Sequence, residues 1–157
     1  MNRILKALLF SFIVIGVSGV AQAQSRITKD EAQALVKKII AYAKANGKDK
    51  AIAAGNSPEF FVKDDGYIFA YNTVGADKGV NLIHKNEKMR GKNLLELKDG
   101  NGFELIKAML EKCASPEKSG WIKYGWPNAV SKKVEPKESY AEFHDGVCYA
   151  SGFSTGA

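Results

Sequence analysis

Apolar residues recur at helical spacing soon after Thr28, where Leu35, Val36, Ile39, Ile40 and Ala43 form one stripe. Thr28 followed by Glu31 is a capping-box signature and Asn46-Gly47 stops the pattern, so a helix is predicted over residues 29–45 with Lys37, Lys38 and Lys44 in water. Residues 49–54 read as a short second helix, closed by Gly55-Asn56-Ser57-Pro58. From Phe60 the period changes. Residues 67–71 and 80–84 read as two strands joined by a Gly-containing linker, and residues 103–112 as a helix that buries Leu105, Ile106, Met109 and Leu110. Residues 120–126 alternate, which places Ile122, Tyr124 and Trp126 on one face and Trp121 and Lys123 on the other. Residues 137–144 and 147–153 pair across Asp145-Gly146, a two-residue hairpin signal. The order helix, helix, two strands, helix, three strands predicts an α+β domain, a five-stranded antiparallel sheet with the long N-terminal helix packed behind it.

A different pattern precedes this domain. Arg3 and Lys6 lead into the apolar residues 7–20, and Ala21-Gln22-Ala23 supplies the small residues a signal peptidase needs. Residues 1–23 are therefore read as a cleavable signal peptide, and residues 24–157 as one exported domain, periplasmic or secreted. The apolar run is shorter than the roughly 20 residues required to cross a bilayer. No second apolar stretch of spanning length follows, so the domain is expected to lack an output module of its own.

Charge narrows the choice of partner. Without residues 1–23, which hold Arg3 and Lys6, 21 basic side chains face 17 acidic ones, a net +4. The lysines are scattered among acids, which disfavours nucleic acid, while the mild positive excess suits small anions. Cys113 and Cys148 both lie in the exported part, where an oxidising compartment permits a disulfide; two buried thiols are the alternative.

Several chemistries are excluded by missing signatures. There is no phosphate-cradling glycine loop and no His-Glu-x-x-His pair, so neither an enzyme nor a cofactor is expected. Asp99-Gly100-Asn101-Gly102 resembles a calcium loop only superficially, because the first and twelfth loop positions fall on Leu97 and Ala108. His84 and His144 have no Cys or acidic partner at metal-ligand spacing, so no metal site is expected.

The order of the short motifs resembles the single Cache domain family. The resemblance is carried by Asp65-Gly66-Tyr67, His84, Gly91-Lys92-Asn93-Leu94, Lys98-Asp99-Gly100-Asn101-Gly102, Gly120-Trp121-Ile122-Lys123-Tyr124-Gly125-Trp126-Pro127-Asn128, Pro136-Lys137-Glu138-Ser139-Tyr140 and Ser151-Gly152-Phe153, in that order over residues 28–153. It implies a PAS-like extracytoplasmic sensor fold with a ligand pocket between the sheet and its overlying loops. It also implies a small organic anion as ligand, of the acetate, propionate, pyruvate or lactate class. A membrane receptor or envelope protein is a possible partner, and the chain is expected as a monomer or weak homodimer.

A buried carboxylate needs a cation and several hydrogen-bond donors. Tyr124 and Trp126, on one strand face, offer a hydroxyl and an indole N–H beside apolar ring surface. Lys137 and Tyr140, three apart at the start of the next strand, are expected to add an ammonium and a second hydroxyl, and His84 a ring N–H. By residue pattern alone, Trp126 and Tyr140 fit equally as core residues, and Lys137 as a surface partner of Glu135 or Glu138. The resemblance favours the ligand reading for Lys137, Tyr124 and His84. The competing function is an envelope structural or interaction module that uses the same fold without a small ligand.

Overall fold

The computed structural model describes residues 26–63, 65–128 and 131–156; the predicted signal peptide, residues 1–23, lies outside the described residues. The first helix, α1 (Lys29–Asn46), starts at a complete capping box, with Thr28 Oγ1 accepting from the Glu31 N–H and the Glu31 carboxylate accepting from the Thr28 N–H. It runs into α2 (Lys48–Gly55) through Gly47, whose φ of +89° suits glycine. Two short strands follow, β1 (Phe61–Val62) and β2 (Gly66–Tyr67), paired as a separate ribbon. The main sheet contains β3 (Phe69–Asn72), β4 (Asn81–Ile83), β5 (Ser119–Pro127), β6 (Val134–His144) and β7 (Val147–Ser154), and α3 (Leu105–Ala114) lies between β4 and β5 in the chain.

The sheet is five-stranded and antiparallel throughout, in the order β4-β3-β7-β6-β5. The β6–β7 hairpin turns at Asp145 and Gly146, both with positive φ, as a two-residue turn requires to match the strand twist. Gly152 in β7 is obligatory, because a Cβ there would overlap Ser139 Oγ and the Glu138 carbonyl.

Each face of the sheet has its own core. On one, Ala32, Leu35, Val36, Ile39 and Ile40 of α1 pack on Ala70, Tyr140, Val147 and Tyr149. On the other, Leu105, Ile106, Met109 and Leu110 of α3 pack on Tyr71, Ile122, Ala141 and Cys148. Cys113 and Cys148 are joined as a disulfide, which ties the end of α3 to β7. The predicted strand over residues 67–71 is broken at Ile68, so that Tyr67 belongs to the ribbon and Phe69 to the sheet. The predicted helix start at Phe103 moves to Leu105, since Asp99 Oδ1 accepts from the backbone of Asn101 and Phe103 and holds that segment as a turn. Among the described residues no helix is long and apolar enough to cross a membrane.

Candidate functional site

Alternation along β3, β5 and β6 decides which side chains meet. Tyr67 and Phe69, Tyr124 and Trp126, and Lys137 and Ser139 all face the α3 side of the sheet. Lys137 sits opposite Tyr124 in the β5–β6 ladder, and its side chain runs inward until only 5% of the residue is exposed. Its ammonium lies 4.7 Å from the ring centre of Tyr67 and 5.6 Å from that of Phe69. Among the described residues it makes neither a salt bridge nor a hydrogen bond. Glu135 is taken by Arg26, Asn128 and Ser131, and Glu138 by Lys29, so neither surface pairing considered for Lys137 forms.

Burial pushes the Lys137 ammonium down to about 8, and the nearby Asp65 carboxylate pulls it back only in part. At neutral pH the group is still protonated. Asp65 is itself buried; its Oδ1 accepts from the Ile27 N–H at 2.9 Å, while Oδ2 has no hydrogen-bond partner among the described residues. Cation–π contacts offset part of the cost of taking an ammonium from water, but the two ring faces supply no negative charge.

His84 closes the inner wall. It is buried against Tyr67, 5.2 Å between ring centres, and against Trp126 at 6.3 Å. Burial, reinforced by the charges of Lys137 and Arg90, drops its pKa to about 4, so the ring is neutral at pH 7. Its Nδ1 accepts from the Asn86 N–H at 2.9 Å, which leaves the proton on Nε2 with no acceptor among the described residues. The Tyr67 hydroxyl is held near 12, mainly by burial, and interacts with Trp126. Both phenols are therefore neutral donors at physiological pH, the Tyr124 hydroxyl being engaged with Ser139 Oγ at 2.9 Å.

Two cavities flank this cluster. The larger, about 610 Å³, is lined by Tyr67, His84 and Trp126 on the inside and by Met89 and Leu97 among others on the loop side. The smaller, about 460 Å³, is lined by Lys137 and Tyr124 together with Lys123, Glu135 and Thr155. Asp99, Gly125 and Val134 belong to both walls, and the Gly125 N–H donates to Asp99 Oδ2 at 2.8 Å across the boundary.

Of the residues predicted to bind ligand, the structure brings His84, Tyr124, Trp126 and Lys137 to this side, distributed over the two cavities. Tyr140 is a correction. It points to the opposite face, where its hydroxyl donates to Glu142 Oε2 at 2.8 Å and its ring stacks near Trp121. The reason is strand geometry, since residues 137 and 140 differ by an odd number and must project to opposite sides. Tyr67 and Asp65 were missed as site residues. The aromatic alternation Tyr67, Phe69, Tyr71 was a usable signal for the first; Asp65 carried none, because its proximity to Lys137 is purely tertiary.

The fold has clear relatives among solved structures. A methyl-accepting chemotaxis protein from Vibrio parahaemolyticus RIMD 2210633 superposes with a TM-score of 0.67 at 24% identity, covering 80% of this chain and 87% of that one. A periplasmic sensor domain of a chemotaxis protein gives 0.60 at 22% identity, covering 80% and 89%. A Cache chemosensory domain described for carboxylic acid recognition gives 0.60 at 18%, covering 80% and 87%. At these identities the likeness is one of fold. Residues 13–146 match the Single Cache domain 2 family, and the chain belongs to that family.

Proposed function

We propose that this chain is an extracytoplasmic sensor-type domain that captures a small organic carboxylate and presents it to a membrane receptor or envelope partner. The observation that carries the reading is the Lys137 ammonium, buried, charged at neutral pH and, among the described residues, without a counter-ion in contact. Such a group costs several kcal/mol to keep from water unless an anion meets it. The carboxylate head, as in acetate, propionate, pyruvate or lactate, lies against Tyr67 and His84. The Nε2–H of His84 and the Tyr67 hydroxyl donate to it, and the Lys137 ammonium, 4.7 Å from the Tyr67 ring centre in the adjoining cavity wall, attracts it across that ring through the low-dielectric interior and not by contact. Because His84 is neutral, it can give a hydrogen bond without adding a second buried cation. No catalytic step is part of this reading. The open cavities beside the charge favour ligand capture over a purely structural module, whose core would be filled by its own side chains.

The test is calorimetry on ligand-stripped protein with acetate, propionate, pyruvate and lactate, comparing wild type with Lys137→Ala. At least one acid binds wild type with one site per chain, and the variant loses on the order of 30-fold, as for two unit charges that attract across a ring at an effective dielectric of about 20. Equal affinity in the two proteins rejects Lys137 as the anchor.

A further inference from the structure

The larger cavity has far more room than a two- to four-carbon acid fills, and most of its wall is apolar. At about 610 Å³ it falls within the ~300–1,000 Å³ typical of sites that enclose drug-sized molecules. Tyr67 and His84 are its buried donors, while Lys85, Asn86 and Lys98 also reach the lining, Lys98 paired with Glu104 at 3.7 Å. The remaining surface is formed largely by Met89, Leu97, Trp126, Pro127 and Val134. Asp99, also in the wall, has both oxygens occupied by backbone N–H groups, Oδ1 by Asn101 and Phe103 and Oδ2 by Gly125, so it is not poised to take a ligand cation.

The surface near the mouth repeats the pattern. Among the described residues the exposed large hydrophobic side chains are Val74, Phe103 and Val134. Two of these three line the cavities: Val134, 65% exposed, lies in both walls, and Phe103 lies in the smaller one. Apolar surface left in water beside a cavity whose inner wall offers the hydrogen-bond donors of Tyr67 and His84 is what a ligand with an acidic head and an apolar body would cover.

We propose that the acid taken by this site carries, beyond its carboxylate, an apolar body of about six to ten carbons that lies along Met89, Leu97 and Trp126 toward Val134. This rests on the carboxylate-head reading given above and specifies the ligand class. The apolar walls disfavour a second carboxylate, which would have to leave water against Met89 and Leu97 or compete with Glu104 for Lys98. Length then sets affinity. Each methylene buried contributes about 0.8 kcal/mol, close to a fourfold gain in binding.

The experiment is calorimetry on ligand-stripped full-length domain with propionate, butyrate, hexanoate and octanoate, with the dicarboxylate suberate and with 1-octanol. Wild type, Val134→Ser and Met89→Ser are compared; Val134 is exposed, so its variant keeps the fold. Affinity is expected to climb about fourfold per added methylene while the chain stays inside the cavity, giving octanoate a lead of up to roughly a thousandfold on propionate at one site per chain. Suberate and octanol should both bind more weakly than octanoate. Both variants should weaken octanoate by roughly three- to tenfold and leave propionate unchanged. Propionate binding as tightly as octanoate, or suberate exceeding it, overturns the apolar-body proposal and leaves the carboxylate site standing. Octanol matching octanoate, or no acid binding at any length, overturns the carboxylate reading and this inference with it.

Discussion

The two faces of the central sheet handle charge in opposite ways. On the α1 face Lys37 reaches Glu142 at 2.6 Å, the same carboxylate accepts from the Tyr140 hydroxyl, and Lys29 pairs with Glu138 while lying 4.6 Å from the Trp121 ring centre. The ammonium groups there sit on half-exposed side chains with carboxylate partners. On the α3 face Lys137 is buried among Tyr67 and Phe69 with no carboxylate in contact among the described residues; it lines one cavity, and Tyr67 lines the other. The first arrangement is what stability asks for. The second is a local destabilisation, and such an arrangement is retained where a ligand completes it. One sheet thus carries a closed structural face and, on the reading proposed above, an open binding face, separated by the pleat of β6.

The strongest way to disturb the binding face is through its covalent strap. Replacing both Cys113 and Cys148 by Ala releases a loop spanning 35 residues between α3 and β7, and is expected to lower unfolding free energy by about 3–4 kcal/mol. The urea midpoint reads this, and an unchanged midpoint would mean the bond does not restrain the domain. Labelling thiols in the unreduced, unfolded protein should find none.

Acid strikes the same face next. The unfolded chain protonates His84 near 6.5, whereas the folded chain does so only near 4. Between those values the unfolded state binds more protons, so the His84 contribution is complete above pH 6.5 and is lost as pH falls toward 4, on the order of 2–3 kcal/mol. His84→Gln should flatten that part of the stability profile. A profile identical to wild type would show that His84 titrates normally.

Substituting the two contrasted lysines sharpens the comparison further. Lys137→Met removes a buried cation and should raise stability at pH 7 by about 1–3 kcal/mol while abolishing acid binding. Lys37→Met, on the exposed α1 surface, should cost less than about 1 kcal/mol and leave binding intact. Loss of stability in the first variant would mean that the ring contacts and Asp65 already satisfy the charge. The smallest effect belongs to Tyr140→Phe, which gives up one hydrogen bond to Glu142, about 1 kcal/mol, with no change in acid affinity.

These contrasts also show what could be read along the chain. The stripe of α1, the Asp145-Gly146 turn and the alternation of β5 are local patterns, and each element stands where its pattern placed it. The grouping of Tyr124 with Trp126 followed from that alternation, and applying the same rule to β6 would have separated Tyr140 from Lys137. What could not be read was set by long-range contacts. The ribbon formed by Phe61–Val62 and Gly66–Tyr67 is too short to leave a periodic trace. The closeness of Asp65 to Lys137, and the division of the binding side into two cavities by the Asp99 to Gly125 hydrogen bond, exist only once distant segments have packed.

The account stands or falls on the protonation of a single amine. An NMR pH titration of the Lys137 side-chain signal, in stripped protein and again with saturating propionate, should place its midpoint near 8 when free and move it upward when the acid is bound, because an adjacent carboxylate favours the ammonium. A midpoint at the ordinary lysine value near 10.5, unmoved by any acid, would show a solvated amine that holds no anion.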